Sequence, residues 1–146
     1  MTIKNESFDL IREKQDLDIV LSSVTGIVLS DDVVREYLSK CQALIFPGEE
    51  DFGITPVEAQ ASGRPVIAYR GGGAVETVAK HTGQFFYPKT AEALVQTVKK
   101  FEPGQFDSQL IRQHTQQFDI AVFRQKMTEF LEKMVFTTKT QRIQSF

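Results

Sequence analysis

The sequence predicts an α/β domain, a Rossmann-like three-layer fold in which helices cover both faces of a mostly parallel sheet of about four strands. Three observations predict it. Apolar runs of four to six residues alternate with longer segments whose apolar residues recur at helical spacing, the rhythm of βα units. One run, Ala43-Leu-Ile-Phe46, is apolar at every position, as a strand covered on both faces must be. The 146 residues, 41% hydrophobic and 25% charged, are enough for one hydrophobic core and are not the composition of a disordered, collagenous or coiled-coil chain.

In chain order, residues 5–17 show a weak helical pattern in Phe8, Leu10, Ile11 and Leu17. Thr25–Leu29 reads as the first strand. Ser30 then caps a helix to about Lys40, with Val33, Val34, Tyr37 and Leu38 on one face. Ala43–Phe46 is the second strand, and the loop from Pro47 to Ile54 leads into a short helix from about Thr55. In that helix Thr55 is the expected cap and Pro56 the first helical residue, where the missing N–H costs nothing. Pro65–Tyr69 is the third strand, Arg70-Gly-Gly-Gly73 a turn into a helix through Val75 and Val78, and Gln84–Tyr87 the fourth strand.

Beyond Tyr87 the pattern is purely helical. Thr90 caps a helix carrying Leu94, Val95, Val98 and Phe101, which Pro103-Gly104 ends. Asp107 caps the next, through Leu110, Ile111 and His114. Asp119 caps the last, with Phe123, Met127, Phe130, Leu131 and Met134 on one stripe. Residues 1–146 are expected to form a single domain, with a disordered polar tail over 138–146.

Seventeen Lys and Arg against nineteen Asp and Glu give a net charge of -2, which leaves no basic excess for nucleic acid. The lone Cys41 forms no internal disulfide, and His81 and His114 alone assemble no zinc set, so a reducing, cytoplasmic setting without metal or cofactor is expected. Charges at Lys4, Glu6, Asp9, Arg12, Glu13 and Lys14 leave no apolar core for a signal peptide. The longest uncharged stretch, Ile19 to Ser30, falls short of the ~20 apolar residues of a spanning helix.

The chemistry is expected in the stretch from Phe46 to Ala68. In an open parallel sheet, ligands bind beyond the carboxyl ends of the strands, where the loop after Phe46 lies. The amides at the start of the following helix, together with its dipole, make a site for a phosphate or diphosphate. Gly53, lacking a Cβ, lets a phosphate approach the backbone. Glu50 and Glu58 can both reach this mouth, and carboxylates accept hydrogen bonds from vicinal sugar hydroxyls. A plainer reading stands beside this one. Thr55-x-x-Glu58 is also a capping box, which on residue physics alone outweighs ligand binding, and Glu50 within Glu49-Glu50-Asp51 is also a solvated loop charge.

Glu50-Asp-Phe-Gly-Ile-Thr-Pro-Val-Glu58 resembles the E-x7-E motif of the retaining glycosyltransferases of group 1, also called family 4, whose GT-B fold pairs two Rossmann-like domains. The continuation Ala59-Gln-Ala-Ser-Gly-Arg-Pro-Val-Ile-Ala68 and Gly71-Gly-Gly-Ala-Val-Glu76 is similar to the mannosyltransferase-like branch, and the resemblance runs from about residue 22 to 134. It implies a C-terminal domain that binds a nucleotide-sugar donor, GDP- or UDP-linked, for transfer of a hexosyl group, mannosyl by branch, to an acceptor hydroxyl. By motif position, Glu58 would accept from the ribose hydroxyls and Glu50 would hold the transferred sugar in the catalytic position. Phe52, Gly53, Ile54 and Thr55 would offer amides to the diphosphate and sugar, and Gly72 and Gly73 would border the base or sugar. The Gly71–Gly73 segment also reads as a plain strand-to-helix turn. Arg64, His81, His114 and Cys41 match no catalytic position.

The family's earlier strand carries an Arg and a Lys that neutralise the donor diphosphate, and its acceptor-binding domain lies N-terminal to that. The resemblance therefore implies the C-terminal portion of a longer enzyme, incomplete at its N-terminal end, inactive in transfer by itself, and peripheral to a membrane at most in its full-length form. The alternative class is a non-catalytic nucleotide or nucleotide-sugar binding module.

Overall fold

A computed structural model describes residues 19–21 and 30–143. The chain divides into two compact units, Met1–His114 and Thr115–Phe146, where the sequence suggests one domain.

In the first unit, four parallel strands lie side by side in chain order, β1 (Ile19–Leu21), β2 (Ala43–Phe46), β3 (Val66–Tyr69) and β4 (Gly83–Phe86). Leu21 pairs with Ile45, Ile45 with Ile67 and Ala68 with Phe85. The helices are α1 (Asp31–Lys40), α2 (Ile54–Ala61), the single turn α3 (Ala74–Thr77), α4 (Ala91–Lys100) and α5 (Ser108–Thr115). The expected strand Thr25–Leu29 and the helical pattern at 5–17 lie outside the described residues. The strand that pairs with β2 is Ile19–Leu21.

The pleat sorts the core into two layers. On one face Leu44, Phe46, Val66 and Ala68 pack with Leu38 of α1, Ala59 of α2 and Ala74 of α3. On the other, Ala43, Ile45, Ile67 and Phe86 pack with Val98 of α4 and with Phe101. Both faces of β2 and β3 are covered, which is why those strands read as unbroken apolar runs. Cys41 is buried at the end of α1, Arg64 donates to the Ser39 carbonyl, and the Arg112 guanidinium donates to the Ser62 carbonyl at 3.2 Å.

Three of the expected caps form. Thr90 Oγ1 accepts from the Ala93 amide at 3.2 Å, Asp107 Oδ1 from the Gln109 and Leu110 amides at 2.7 and 3.0 Å, and Asp119 Oδ1 from the Ala121 amide at 2.7 Å. Ser30 occupies the cap position of α1, but its side chain makes no cap bond. Chemical denaturation should therefore show Thr90→Ala losing ~1 kcal/mol of stability, whereas Ser30→Ala changes it by less than ~0.5 kcal/mol.

In the second unit, a 3-10 turn at Gln116–Phe118 precedes α6 (Ile120–Ile143). The helix passes Thr137, where the sequence suggests fraying, because no Gly or Pro interrupts residues 120–143; residues 144–146 lie outside the described set. The predicted stripe is exposed, with Phe123, Phe130 and Leu131 each more than half accessible. Among the described residues, no helix is long and apolar enough to cross a membrane.

Candidate functional site

The loops that follow β2, β3 and β4 meet at the carboxyl edge of the sheet. The first of them ends at α2, which begins two residues earlier than expected. Ile54 is its first residue and Gly53 its cap, at φ 77° in the left-handed region that glycine adopts without a Cβ clash. Thr55 is thus the second helical residue and Pro56 the third, still within the first turn, where a missing N–H leaves no bond unmade. Thr55 is not the cap, and the Thr55-x-x-Glu58 box does not form. Glu58 is exposed, and its side chain makes no hydrogen bond among the described residues; its carbonyl accepts from the Ser62 amide at 3.0 Å. The amides of Gly53, Ile54 and Thr55 likewise donate to no acceptor among the described residues. They form a row of free donors at the positive end of a helix, an arrangement suited to anionic oxygens.

The glycine loop holds this edge together from behind. Gly73 donates its amide to the Glu50 carbonyl at 2.7 Å. A Cβ on Gly72, at φ +55°, would lie 2.5 Å from that carbonyl oxygen, and one on Gly73 would lie 2.4 Å from Phe52 Cα and 2.5 Å from the Asp51 carbonyl oxygen. Two backbones run in direct contact here, so Gly72 and Gly73 shape the acidic loop. The Glu50 backbone is fixed by this contact while its side chain stays exposed.

A polar cluster missed by the sequence reading ties α2 to the same loop. Gln60 is fully buried, and its Nε2 donates to the Pro56 and Thr77 carbonyls, each at 3.1 Å. Thr77 Oγ1 donates to the Gly73 carbonyl at 3.2 Å, and the Thr77 carbonyl also lies 3.1 Å from His114 Nε2. His81 packs edge-on against His114, with ring centroids 5.1 Å apart. The signal was available in principle, as a lone amide between Ala59 and Ala61 on a helix with one apolar face. Of its two partners, the Thr77 carbonyl lies 17 residues away in sequence.

A groove of about 450 Å³ runs between α1 and α2, lined by Val34, Arg35, Leu38, Glu58, Ala61 and Ser62. Val34 and Leu38 give it an apolar wall, Arg35 and Glu58 a charged one. The sequence singled out Glu58 as a ligand residue and missed Arg35. Gly72 and Gly73 do not line this groove. Among the described residues, no group of three or more His, Cys, Asp or Glu could hold a metal ion.

The chain matches the family described as glycosyl transferases group 1 over residues 11–117. It is 27% identical over 118 residues to the alpha-1,3/1,6-mannosyltransferase ALG2 of Rhizomucor pusillus, covering 76% of this chain and 26% of that protein. Over 53 residues it is 43% identical to the protein of the same name from Dictyostelium discoideum, covering 36% of this chain and 13% of that one. In structure it is similar to sucrose-phosphate synthase from Thermosynechococcus elongatus, with a TM-score of 0.65 and 25% identity over 75% of this chain and 29% of the other. It also shares its fold with Anabaena HepE in complex with UDP and glucose, with a TM-score of 0.56 and 23% identity over 68% of this chain and 29% of the other. The chain thus spans between an eighth and a third of the length of these relatives.

Proposed function

Because the chain belongs to the group 1 glycosyl transferases, we propose that it carries the nucleotide-sugar donor site of such an enzyme, with the acceptor held mainly by a further domain. The observation that carries this reading is the first turn of α2: three amides and an exposed Glu58 side chain, without a hydrogen-bond partner among the described residues, beside a groove. In this reading the amides of Phe52, Gly53, Ile54 and Thr55 take the diphosphate and sugar oxygens. Glu58 accepts from the ribose hydroxyls, and the groove along Val34 and Leu38 receives the base. Glu50 orients the transferred sugar. Gly72 and Gly73 act from behind, by holding the loop that presents Glu50.

Such a site works by electrostatic stabilisation of the departing diphosphate and by orientation of the sugar. The sugar is proposed to be a hexosyl group, mannosyl by analogy with the named mannosyltransferases, transferred with retention from a GDP- or UDP-linked donor in a cytoplasmic setting. HepE, crystallised with UDP and with UDP-glucose, supports a nucleoside diphosphate as the common element.

Calorimetric titration with GDP, UDP and GDP-mannose, with and without Mg²⁺, tests the proposal. Three amides and a helix dipole worth ~0.3–1 kcal/mol cannot balance a diphosphate alone, so affinity should be weaker than ~10 µM and unchanged by chelation. Glu58→Gln should bind about tenfold more weakly, since a charged acceptor is lost. Its melting temperature should stay the same, because Glu58 makes no capping bond. Equal affinity of the two proteins would remove Glu58 from the site.

A further inference from the structure

Next to the acidic loop, on the side away from α2, the carboxyl edge carries an aromatic shelf that the donor site does not use. Tyr69 is the last residue of β3, and Tyr87 directly follows β4. Their rings stack, with centroids 6.4 Å apart and planes 18° from parallel. Tyr69 leans on Phe86 at 5.9 Å, so the shelf is rooted in the core. Tyr87 is 72% exposed, which is unusual for a ring already engaged in stacking.

The rim of the shelf is charged. Lys89 Nζ lies 5.0 Å from the centre of the Tyr69 ring and 3.4 Å from Glu49 Oε2, and Arg70 is exposed at the end of β3. The surroundings are built closely: a Cβ on Gly71 would lie 2.5 Å from Tyr69 Cε1 and 3.2 Å from Glu49 Oε1. Glu49 joins the shelf directly to Glu50.

A flat, exposed ring beside a carboxylate and an ammonium matches the chemistry of a pyranose. Its axial C–H face packs on an aromatic ring, and its equatorial hydroxyls both donate and accept hydrogen bonds. We infer that Tyr87, with Tyr69, Glu49 and Lys89, forms a second saccharide subsite that holds a pyranose of the acceptor beside the donor sugar; the acceptor role rests on the donor reading above.

The chain has three tyrosines and no tryptophan, so in a Tyr37→Phe background its emission comes from the shelf alone. In that background, titration with α-linked mannobiose should change the emission saturably, and the acyclic polyol mannitol, which has hydroxyls but no ring face, should not. Tyr87→Phe should bind mannobiose like the parent, while Tyr87→Ala should lose about tenfold in affinity. Because Tyr87 is exposed, Tyr87→Ala should keep the parent's melting temperature, and its affinity for GDP or UDP should be unchanged. No saturable response, an equal response to mannitol, or undiminished binding by Tyr87→Ala would overturn the subsite. Mannobiose binding without any nucleotide binding would instead overturn the donor reading, and the acceptor role with it.

Discussion

Gly73→Ala is expected to lose at least ~3 kcal/mol of stability, the upper end of the range for overpacked sites, and to lose nucleotide binding with it. The new methyl group would meet Phe52 Cα at 2.4 Å and the carbonyl oxygens of Asp51 and Phe52 at 2.5 Å. All three contacts are backbone, so no side chain can rotate away. The acidic loop must shift as a whole, and that also breaks the 2.7 Å bond from the Gly73 amide to the Glu50 carbonyl. Gly104→Ala is the matched control, since its Cβ would meet nothing within 4 Å. It should leave stability within ~0.5 kcal/mol of the parent, as surface substitutions usually do. Urea denaturation of the two variants measures the difference. Equal stability would mean that the two loops do not pack as described.

The second large effect is expected at Gln60, where two substitutions should diverge. Gln60→Ala empties a fully buried position and should cost ~2–4 kcal/mol through the cavity and the lost bonds. Gln60→Leu fills nearly the same volume. It loses the donations to Pro56 and Thr77, yet the Thr77 carbonyl keeps His114 as a partner. It also removes Gln60 Oε1, a buried acceptor with no partner among the described residues, whose burial is itself costly by ~1–3 kcal/mol. These terms nearly cancel, so Gln60→Leu should fall within ~1 kcal/mol of the parent. Thermal and chemical denaturation of both variants decides the point; comparable losses in the two would show that the polar bonds, and not packing, hold α2 to α3.

Much of this architecture was legible locally. Strands β2 and β3 announced themselves because burial on both faces demands an unbroken apolar run, and Thr90, Asp107 and Asp119 cap their helices as short-range chemistry requires. The strand Ile19–Leu21 was not legible, because it is three residues long and its pairing with Ala43–Ile45 is a long-range property. The start of α2 was misplaced for a related reason. Thr55-Pro56 is a good local cap signal, but Gly53 in a left-handed conformation takes the role first and leaves Glu58 without its box. That shift matters for function, since it removes the structural explanation that competed with ligand binding at Glu58.

The motif residues from Glu50 to Glu58 lie together on one loop and helix, as their spacing implies. The packing of Gly72 and Gly73 could not be read from any local rule: a Cβ there would meet the backbone of residues 50–52, some twenty positions earlier in the chain. Arg35 and the apolar wall of the groove escaped for the same reason, because α1 and α2 are brought together only by the sheet beneath them.

The central claim is that the free first turn of α2 is a nucleotide-sugar site. Titrating the isotopically labelled chain with UDP and GDP while following its backbone amide resonances tests it most directly. The account predicts that the largest shifts fall on Gly53, Ile54 and Thr55, with smaller ones at Glu58 and along Val34 to Leu38, and that the resonances at Tyr87 and Lys89 stay in place. Saturable shifts centred anywhere else on the folded chain, or none at millimolar nucleotide, would contradict it.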